Sequence, residues 1–245
     1  MTDRGDDDVA ARLATQAGEL LLGVRDELAD ASAADRKDAG DKRSHDFLME
    51  ALARERPGDA VLSEEGADNP TRLNAERVWI VDPLDGTREF SELGRDDWAV
   101  HVALWHHGEL VAGAVALPAQ GITLATPDIA KPSPAPATPR IVVSRTRPPA
   151  IALAVRDALN GTLVEMGSAG AKVAAVVQGH ADVYVHAGGQ YEWDSAAPVA
   201  VARAAGLHTS RIDGSPLVYN QSDPLLPDLV VCRPELADAV LAVTG

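Results

Sequence analysis

The sequence predicts a layered α/β (α+β) fold, with an N-terminal antiparallel sheet covered by helices and a C-terminal α/β subdomain. Three observations support it. Helical periodicity gives way to strand-like segments before residue 126, residues 126–139 contain five prolines, and strands alternate with helices after residue 140. Because proline disrupts helix interiors and central strands, the proline-rich segment is interpreted as the crossover between subdomains 1–132 and 133–245. A long surface loop within one domain is the alternative.

Two helices are expected at the start of the chain. Apolar residues recur every three or four positions over residues 9–31, which is typical of a helix with one buried face. A second helix is predicted over 44–56, with Ser44 as its N-cap. The polar stretch between them, residues 36–43, is expected to be a loop.

Short strands should follow in the first half, because β-branched and aromatic residues cluster between turn residues. The expected strands are 61–63, 78–81, 98–105, 110–117 and 122–125, with a hairpin turn at 106–108. In the second half the expected strands are 141–143, 163–166, 181–185 and 229–232, and the expected helices are 150–159, 172–178, 193–205 and 235–243.

Composition excludes several classes of protein. The chain has 245 residues, 46% of them apolar, and a net charge of −15, most of it within the first 100 residues. Nucleic-acid polymers and membrane surfaces require cationic faces, so neither is an expected partner. The single cysteine, Cys232, excludes an internal disulfide and a cysteine-rich zinc module. With no apolar leader or membrane-length apolar run, a cytoplasmic location is expected.

The most informative motif follows the strand at 78–81. Asp82 and Asp85 lie three positions apart with Pro83 between them, so both carboxylates and the Leu84 carbonyl could converge. Oxygen ligands of this kind suit Mg²⁺, and the amides of Gly86 and Thr87 could face a phosphate. Ordinary Asp-Pro-x-Asp-Gly turn chemistry is the alternative.

Further polar residues sit at element ends. Glu64 and Glu65 follow the strand at 61–63, and acids meeting at strand ends are what a metal site requires. Asp194 begins a predicted helix, where it could be a ligand or simply interact with the helix dipole. Ser168 precedes another helix and could bind an anion or cap that helix.

The two motifs together, 82–87 and 193–197 with the upstream Glu64, resemble the inositol monophosphatase superfamily over about residues 9–243. The resemblance implies an αβαβα layered fold and a lithium-sensitive phosphatase of small phosphorylated metabolites. It further implies two to three Mg²⁺ ions and, as a family property, a possible homodimer. The implied metal ligands are Glu64, Asp82, the Leu84 carbonyl, Asp85 and Asp194, and the implied phosphate-binding residues are Gly86 and Thr87. Asp41, with Asp38 as its competitor, would support Thr87, and Asp41, Glu64 and Thr87 would be catalytic.

Within the family, the chain most resembles the CysQ-type branch, which hydrolyses the 3′-phosphate of 3′-phosphoadenosine 5′-phosphate to AMP. The resemblance implies substrate contacts from Ser144, Arg145, Ser168, Lys172 and Asp194, with Arg145 suited to a second phosphate or else a surface residue. Inositol monophosphate and fructose 1,6-bisphosphate are alternative substrates. A metal-binding module without activity is the non-enzymatic alternative.

Overall fold

The computed structural model describes residues 5–245 and contains ten strands in two five-stranded sheets. The strands are β1 (Ala60–Ser63), β2 (Arg77–Asp85), β3 (Ala99–His106), β4 (Glu109–Leu117), β5 (Ile122–Ala125), β6 (Arg140–Ser144), β7 (Thr162–Met166), β8 (Val183–Ala187), β9 (His208–Ser210) and β10 (Asp228–Cys232). The α-helices are α1 (Asp6–Glu27), α2 (Ala33–Glu55), α3 (Thr87–Ser91), α4 (Ala150–Ala158), α5 (Ala169–Val177), α6 (Glu192–Ala204) and α7 (Ala237–Thr244). Short 3₁₀ helices occur at Pro70–Asn74, Pro118–Gln120 and Pro234–Leu236.

The first sheet has the order β1-β2-β3-β4-β5 and packs against helices on both of its faces. Along β2, Trp79 and Val81 pack with α1 and α2, whereas Val78 and Ile80 pack with α5 and α6. This alternation follows from the two-residue period of a strand, which points successive side chains to opposite faces.

The second sheet, in the order β7-β6-β8-β10-β9, completes the layers. Val142 and Val231 face the same central cluster as α5 and α6, whereas Val143 and Val230 face α4 and α7. The order across the molecule is therefore helices, sheet, helices, sheet, helices, and the expected αβαβα layering is confirmed. Cys232 is a buried core residue on β10.

The predicted loop at 36–43 is wrong, because α2 begins at Ala33 and runs through it. The Ser32 hydroxyl accepts a hydrogen bond from the Asp35 amide at 3.1 Å and caps the helix there. The buried Arg36 guanidinium donates to the carbonyls of Leu28 and Ser91 at 3.1 Å each. A buried arginine satisfied by backbone carbonyls carries no apolar periodicity, so the pattern did not reveal this part of the helix.

Other details also differ from the expectations. The first helix ends at Glu27 instead of residue 31. The first sheet is not wholly antiparallel, since β1 pairs with β2 in parallel while the other neighbours are antiparallel. Strand β9, only three residues long, was not predicted.

The proline-rich segment after β5 leads from the first sheet to the second and contains neither helix nor strand. The division into subdomains at residues 132 and 133 stays a prediction. Within residues 5–245, no helix is both long enough and apolar enough to cross a membrane.

Candidate metal centre

Three carboxylates from distant parts of the chain meet between the first sheet and the central helices. Asp82 and Asp85 come from the end of β2, and Asp194 lies in the first turn of α6. One carboxylate oxygen from each lies within 4.8 Å of the other two. The convergence expected from the sequence is therefore present in the structure.

The end of β2 is bent so that both of its acids face the same point. The pairing of β2 with β3 shifts register between Asp82 and Asp85, and the Asp82 carboxylate accepts a hydrogen bond from the Leu84 amide at 3.0 Å. Gly86 follows with a φ of +82°, and a Cβ there would lie 2.7 Å from the Ser168 Cβ. Only glycine suits this left-handed position and close approach, and α3 begins at the next residue.

Asp85 is held on three sides. Its carboxylate accepts hydrogen bonds from the amides of Ala169 at 3.2 Å and Gly170 at 2.5 Å, at the start of α5. The Nε2 atom of buried His101 lies 3.3 Å from its Oδ2 atom. Burial alone would raise the pKa of Asp85, but His101 and the Gly170 amide outweigh that effect and lower it. The Asp85 carboxylate is therefore ionised and held in one orientation.

Asp82 and Asp194 have the opposite electrostatics. Burial raises the pKa of Asp82 well above its usual value, and the nearby Glu64 adds to the effect. Burial, together with the charge on Asp85, raises the pKa of Asp194 to about 7, although Asp194 also accepts a hydrogen bond from the Tyr191 amide at 2.7 Å. Crowded acids of this kind hold protons in the absence of a cation, and a divalent cation would replace those protons.

Glu64 borders the group of three. It follows β1, remains accessible to solvent, and shares a hydrogen bond with the Asp82 carboxyl group. Partial burial of its carboxyl group raises the pKa of Glu64 to about 7, and the charges of Asp85 and Glu65 add to this. An all-oxygen donor set with several carboxylates matches the preference of Mg²⁺.

Thr87, the first residue of α3, connects this region to α2. Its hydroxyl lies 3.4 Å from a carboxylate oxygen of Asp41 and 3.3 Å from the Leu84 carbonyl oxygen, and can donate to either. Burial raises the pKa of Asp41 to about 7, with Glu65 contributing. The contact of Thr87 is thus with Asp41, and Asp38 is an exposed residue of α2.

The predicted substrate residues lie on the side of the second sheet. Ser168 caps α5 by accepting a hydrogen bond from the Ala171 amide at 2.9 Å. Lys172 is 5% exposed, its ammonium donates to the Gly167 carbonyl, and Ser144 ends β6. Arg145 is held by the carboxylates of Glu89 at 2.7 Å and Glu92 at 2.9 Å. The substrate roles of these residues stay predictions.

Sequence reasoning missed two residues of the centre, His101 and Gly170. His101 Nδ1 lies 3.0 Å from the Trp193 carbonyl oxygen, next to Asp194, and 3.9 Å from the Asp82 carboxylate. A Cβ on Gly170 would lie 2.0 Å from His101 Nε2. The available signal was that His101 is the one polar residue in the apolar run 98–105.

Comparison with known proteins agrees with this geometry. Residues 5–131 and 135–244 match the Inositol monophosphatase family. The chain is 54% identical over 234 residues to a protein of Mycobacterium bovis named 3′-phosphoadenosine 5′-phosphate phosphatase, covering 92% of this chain and 88% of the relative. It is 31% identical to 3′(2′),5′-bisphosphate nucleotidase CysQ of Escherichia coli, covering 89% of this chain and 96% of the relative.

The fold is also found among solved structures. Inositol monophosphatase II of Staphylococcus aureus superposes with a TM-score of 0.81 at 21% identity, covering 96% of this chain and 93% of that one. The family resemblance drawn from the motifs is confirmed, and the chain belongs to the inositol monophosphatase family.

Proposed function

We propose that this chain is a Mg²⁺-dependent phosphatase that removes the 3′-phosphate of 3′-phosphoadenosine 5′-phosphate, giving AMP and phosphate. The observation that carries the proposal is the meeting of Asp82, Asp85 and Asp194 beside the Thr87–Asp41 contact. The choice of substrate is supported by the names of the relatives from Mycobacterium bovis and Escherichia coli.

The residues that would hold the metal ions, two or three in number, are Glu64, Asp82, Asp85 and Asp194 with the Leu84 carbonyl. When bound, Mg²⁺ supplies Lewis acidity and neutralises the negative charge of the phosphate. The amides of Gly86 and Thr87 would hold phosphate oxygens at the start of α3. Asp194 and Ser168 would face the substrate from the central helices.

Thr87 and Asp41 would accept the proton that the attacking water loses. A Thr87 hydroxyl that donates to the Asp41 carboxylate keeps its lone pairs free to accept a hydrogen bond from water. The proton can then pass through Thr87 to Asp41, while Glu64 helps to orient the water. A general base is most effective when its pKa lies near the working pH, and the pKa of Asp41 is raised to about 7.

The test is Mg²⁺-dependent phosphate release by wild-type protein and by the Asp82→Asn variant. Three substrates are compared: 3′-phosphoadenosine 5′-phosphate, inositol 1-phosphate and fructose 1,6-bisphosphate. We expect Asp82→Asn to lower kcat by about 100-fold or more, because the metal supplies several kcal/mol of transition-state stabilisation. The matched control is Asp46→Asn, an exposed acid on α2 that pairs with Lys42.

Two outcomes would contradict the proposal. Near-normal turnover by Asp82→Asn would show that Asp82 does not hold a catalytic metal ion. A kcat/KM for the nucleotide below those of both other substrates would favour the inositol phosphate or fructose bisphosphate alternative. Because Asp82→Asn relieves crowding among acids, its melting temperature in EDTA should equal or exceed that of wild type, so lost activity would not reflect unfolding.

Three further properties belong to this proposal. Lithium should inhibit turnover at sub-millimolar to millimolar concentrations, and indifference to lithium would count against the assigned metal chemistry. A homodimer is expected from the family resemblance, and sedimentation of the purified chain would test it. A cytoplasmic location is expected from the sequence, and fractionation of cells would test it.

A further inference from the structure

We propose that a buried polar cluster of Arg72, Asn220 and Glu192 positions two ligands of the candidate metal centre. The cluster joins the segment that carries Glu64 to the first turn of α6, which carries Asp194. The inference rests on the proposed function, which assigns Glu64 and Asp194 as metal ligands. It makes the members of the cluster positioning residues, which act on the metal ions through these two acids.

Glu192 fixes the start of α6 to the loop between β9 and β10. Its side chain is 1% exposed, and its two carboxylate oxygens accept hydrogen bonds from the amides of Asn220 at 2.6 Å and Gln221 at 2.7 Å. Asn220 has a φ of +60°, a left-handed conformation that asparagine adopts more readily than most residues. Successive amides in such a turn form a concave anion site, and here an internal carboxylate occupies it. Because Glu192 is the first residue of α6 and Asp194 the third, this contact fixes the turn that carries Asp194.

Arg72 holds the same turn through its oxygen atoms. It lies in the 3₁₀ helix Pro70–Asn74 and is 1% exposed. Its guanidinium donates to the Asn220 side-chain oxygen at 2.7 Å and to the Gln221 carbonyl at 2.8 Å. The Asn220 side-chain amide donates in return to the Arg72 carbonyl at 3.4 Å. The turn at 220–221 is therefore fixed between a buried cation, Arg72, and a buried carboxylate, Glu192.

The Arg72 guanidinium also restrains the segment that follows β1. Its Nε and Nη2 atoms donate to the Asp68 carboxylate at 2.7 and 3.1 Å. Glu64 lies four residues before Asp68, and the Gly66 amide closes a turn there by donating to the Ser63 carbonyl at 3.3 Å. Glu64 is thus connected to Arg72 by a short piece of chain that is itself hydrogen-bonded.

The chemistry of the cluster favours a positioning role over a purely stabilising one. Arg72 and Glu192 are charged and almost fully buried, and groups of this kind can often be replaced by apolar side chains without loss of stability. Their directional hydrogen bonds do fix the relative placement of the segments that they join. Because Mg²⁺ demands near-ideal octahedral geometry, a small displacement of Glu64 or Asp194 would lower its affinity.

The experiment measures Mg²⁺ binding by calorimetry, without substrate, in wild type, Arg72→Lys, Glu192→Gln and the double variant. Lysine keeps the charge of Arg72 but lacks its fork of donors, and glutamine keeps the shape of Glu192 but offers one acceptor oxygen instead of two. We expect each single variant to weaken Mg²⁺ binding about tenfold, as is usual for residues behind metal ligands. The double variant should stay within about threefold of the weaker single variant, because both changes break the same connection.

Arg233→Lys is the matched control. Arg233 is also a buried arginine, and it pairs with Asp182 beside the start of β8. The control should lose stability but keep its Mg²⁺ affinity within about twofold, because its site is independent of the cluster. Steady-state phosphate release gives a second comparison. The cluster variants should require about tenfold more Mg²⁺ for half-maximal turnover, with kcat at saturating Mg²⁺ within about threefold of wild type.

Either of two binding results would overturn the proposal. One is a cluster variant with the Mg²⁺ affinity of wild type. The other is an equal loss of affinity in Arg233→Lys, which would show that lower stability alone weakens binding. Failure of the proposed function is detected separately, because wild type would then bind no Mg²⁺ or release no phosphate from the three substrates.

Amide hydrogen exchange in EDTA tests the connection even in that case. Glu192→Gln should speed exchange in residues 64–74, and Arg72→Lys should speed it in residues 191–195, each by about threefold or more. Arg233→Lys should change neither segment. If each cluster variant affected only its own segment, the cluster would not join the two and the proposal would fail.

Discussion

At the scale of single residues, the orientation of the Asp85 carboxylate depends on a close approach between α5 and β3. The Gly170 amide donates to Asp85, and the same residue leaves room for His101. A Cβ at this position would lie 2.0 Å from His101 Nε2 and 3.0 Å from Asp85 Oδ2. Since the helix and the strand are both buried, neither can move away without loss of packing.

We therefore expect Gly170→Ala to lower kcat by about 100-fold, comparable to losing one preorganised electrostatic group, because Asp85 or His101 must shift. The melting temperature should fall as well. Phosphate release and thermal unfolding measure the two effects. The matched control is Gly23→Ala in α1, where a Cβ meets nothing within 4 Å. That change should stabilise the protein by about 0.5–1 kcal/mol and leave kcat unchanged. If Gly170→Ala retained the wild-type kcat, the close approach between α5 and β3 would have no role in turnover.

The acids of the centre could be predicted from the sequence, whereas His101 and Gly170 could not. Asp82 and Asp85 belong to a short motif whose own turn brings them together, so local pattern is sufficient. The role of His101 arises from contacts with Trp193 and Asp85 on other elements, and these distances depend on the packing of β3 against α5 and α6. No pattern within residues 98–105 encodes that packing.

At the scale of elements, the start of α2 explains why the polar residues 36–43 predicted a loop and not a helix. The first turns of the helix have no apolar stripe, and their stability comes from Arg36 and from Gly40. A Cβ on Gly40 would lie 2.6 Å from the Phe90 ring, so α2 and α3 meet there at close range. This contact holds Asp41 beside Thr87. The helix start is thus coupled to the contact between Thr87 and Asp41.

Arg36→Ala should destabilise the protein by about 3 kcal/mol, because hydrogen bonds to a charged donor are each worth about 1.5–3 kcal/mol. The guanidinium joins the carbonyls after α1 to the end of α3, and the variant leaves them without that donor. Urea unfolding would measure the loss. The control is Lys42→Ala on the same helix, an exposed cation whose pairing with Asp46 is worth little. Equal stability of the two variants would contradict the role given to Arg36.

At the scale of the whole molecule, the candidate metal centre lies where two layers meet. Asp82 and Asp85 belong to the first sheet and Asp194 to the central helices, so folding itself brings these three acids together. The layer order could be predicted from the alternation of strands and helices, but not the parallel pairing of β1 or the short strand β9. Both depend on contacts between distant segments.

Assembling these acids makes the stability of the metal-free protein depend on pH. The pKa values of Asp41, Glu64 and Asp194 are raised to about 7, whereas the same carboxyl groups titrate near 4 in the unfolded chain. Between pH 4 and 7 the folded protein therefore binds more protons than the unfolded chain. The free energy of unfolding then decreases as pH rises through this range, and this part of the stability is greatest below pH 4.

With EDTA, the melting temperature should therefore fall by several degrees between pH 5.5 and 8, since about 1 kcal/mol corresponds to about 2–4 °C for a chain of this size. Mg²⁺ binds the deprotonated carboxylates, so it should stabilise the protein more at pH 8 than at pH 5.5. Asp194→Asn removes one of the raised acids and should reduce both effects, whereas the exposed control Asp46→Asn should change neither. A melting temperature in EDTA that rises over this range would contradict the argument. It would mean that the acids are already ionised in the folded chain, and proton release could not then accompany metal binding.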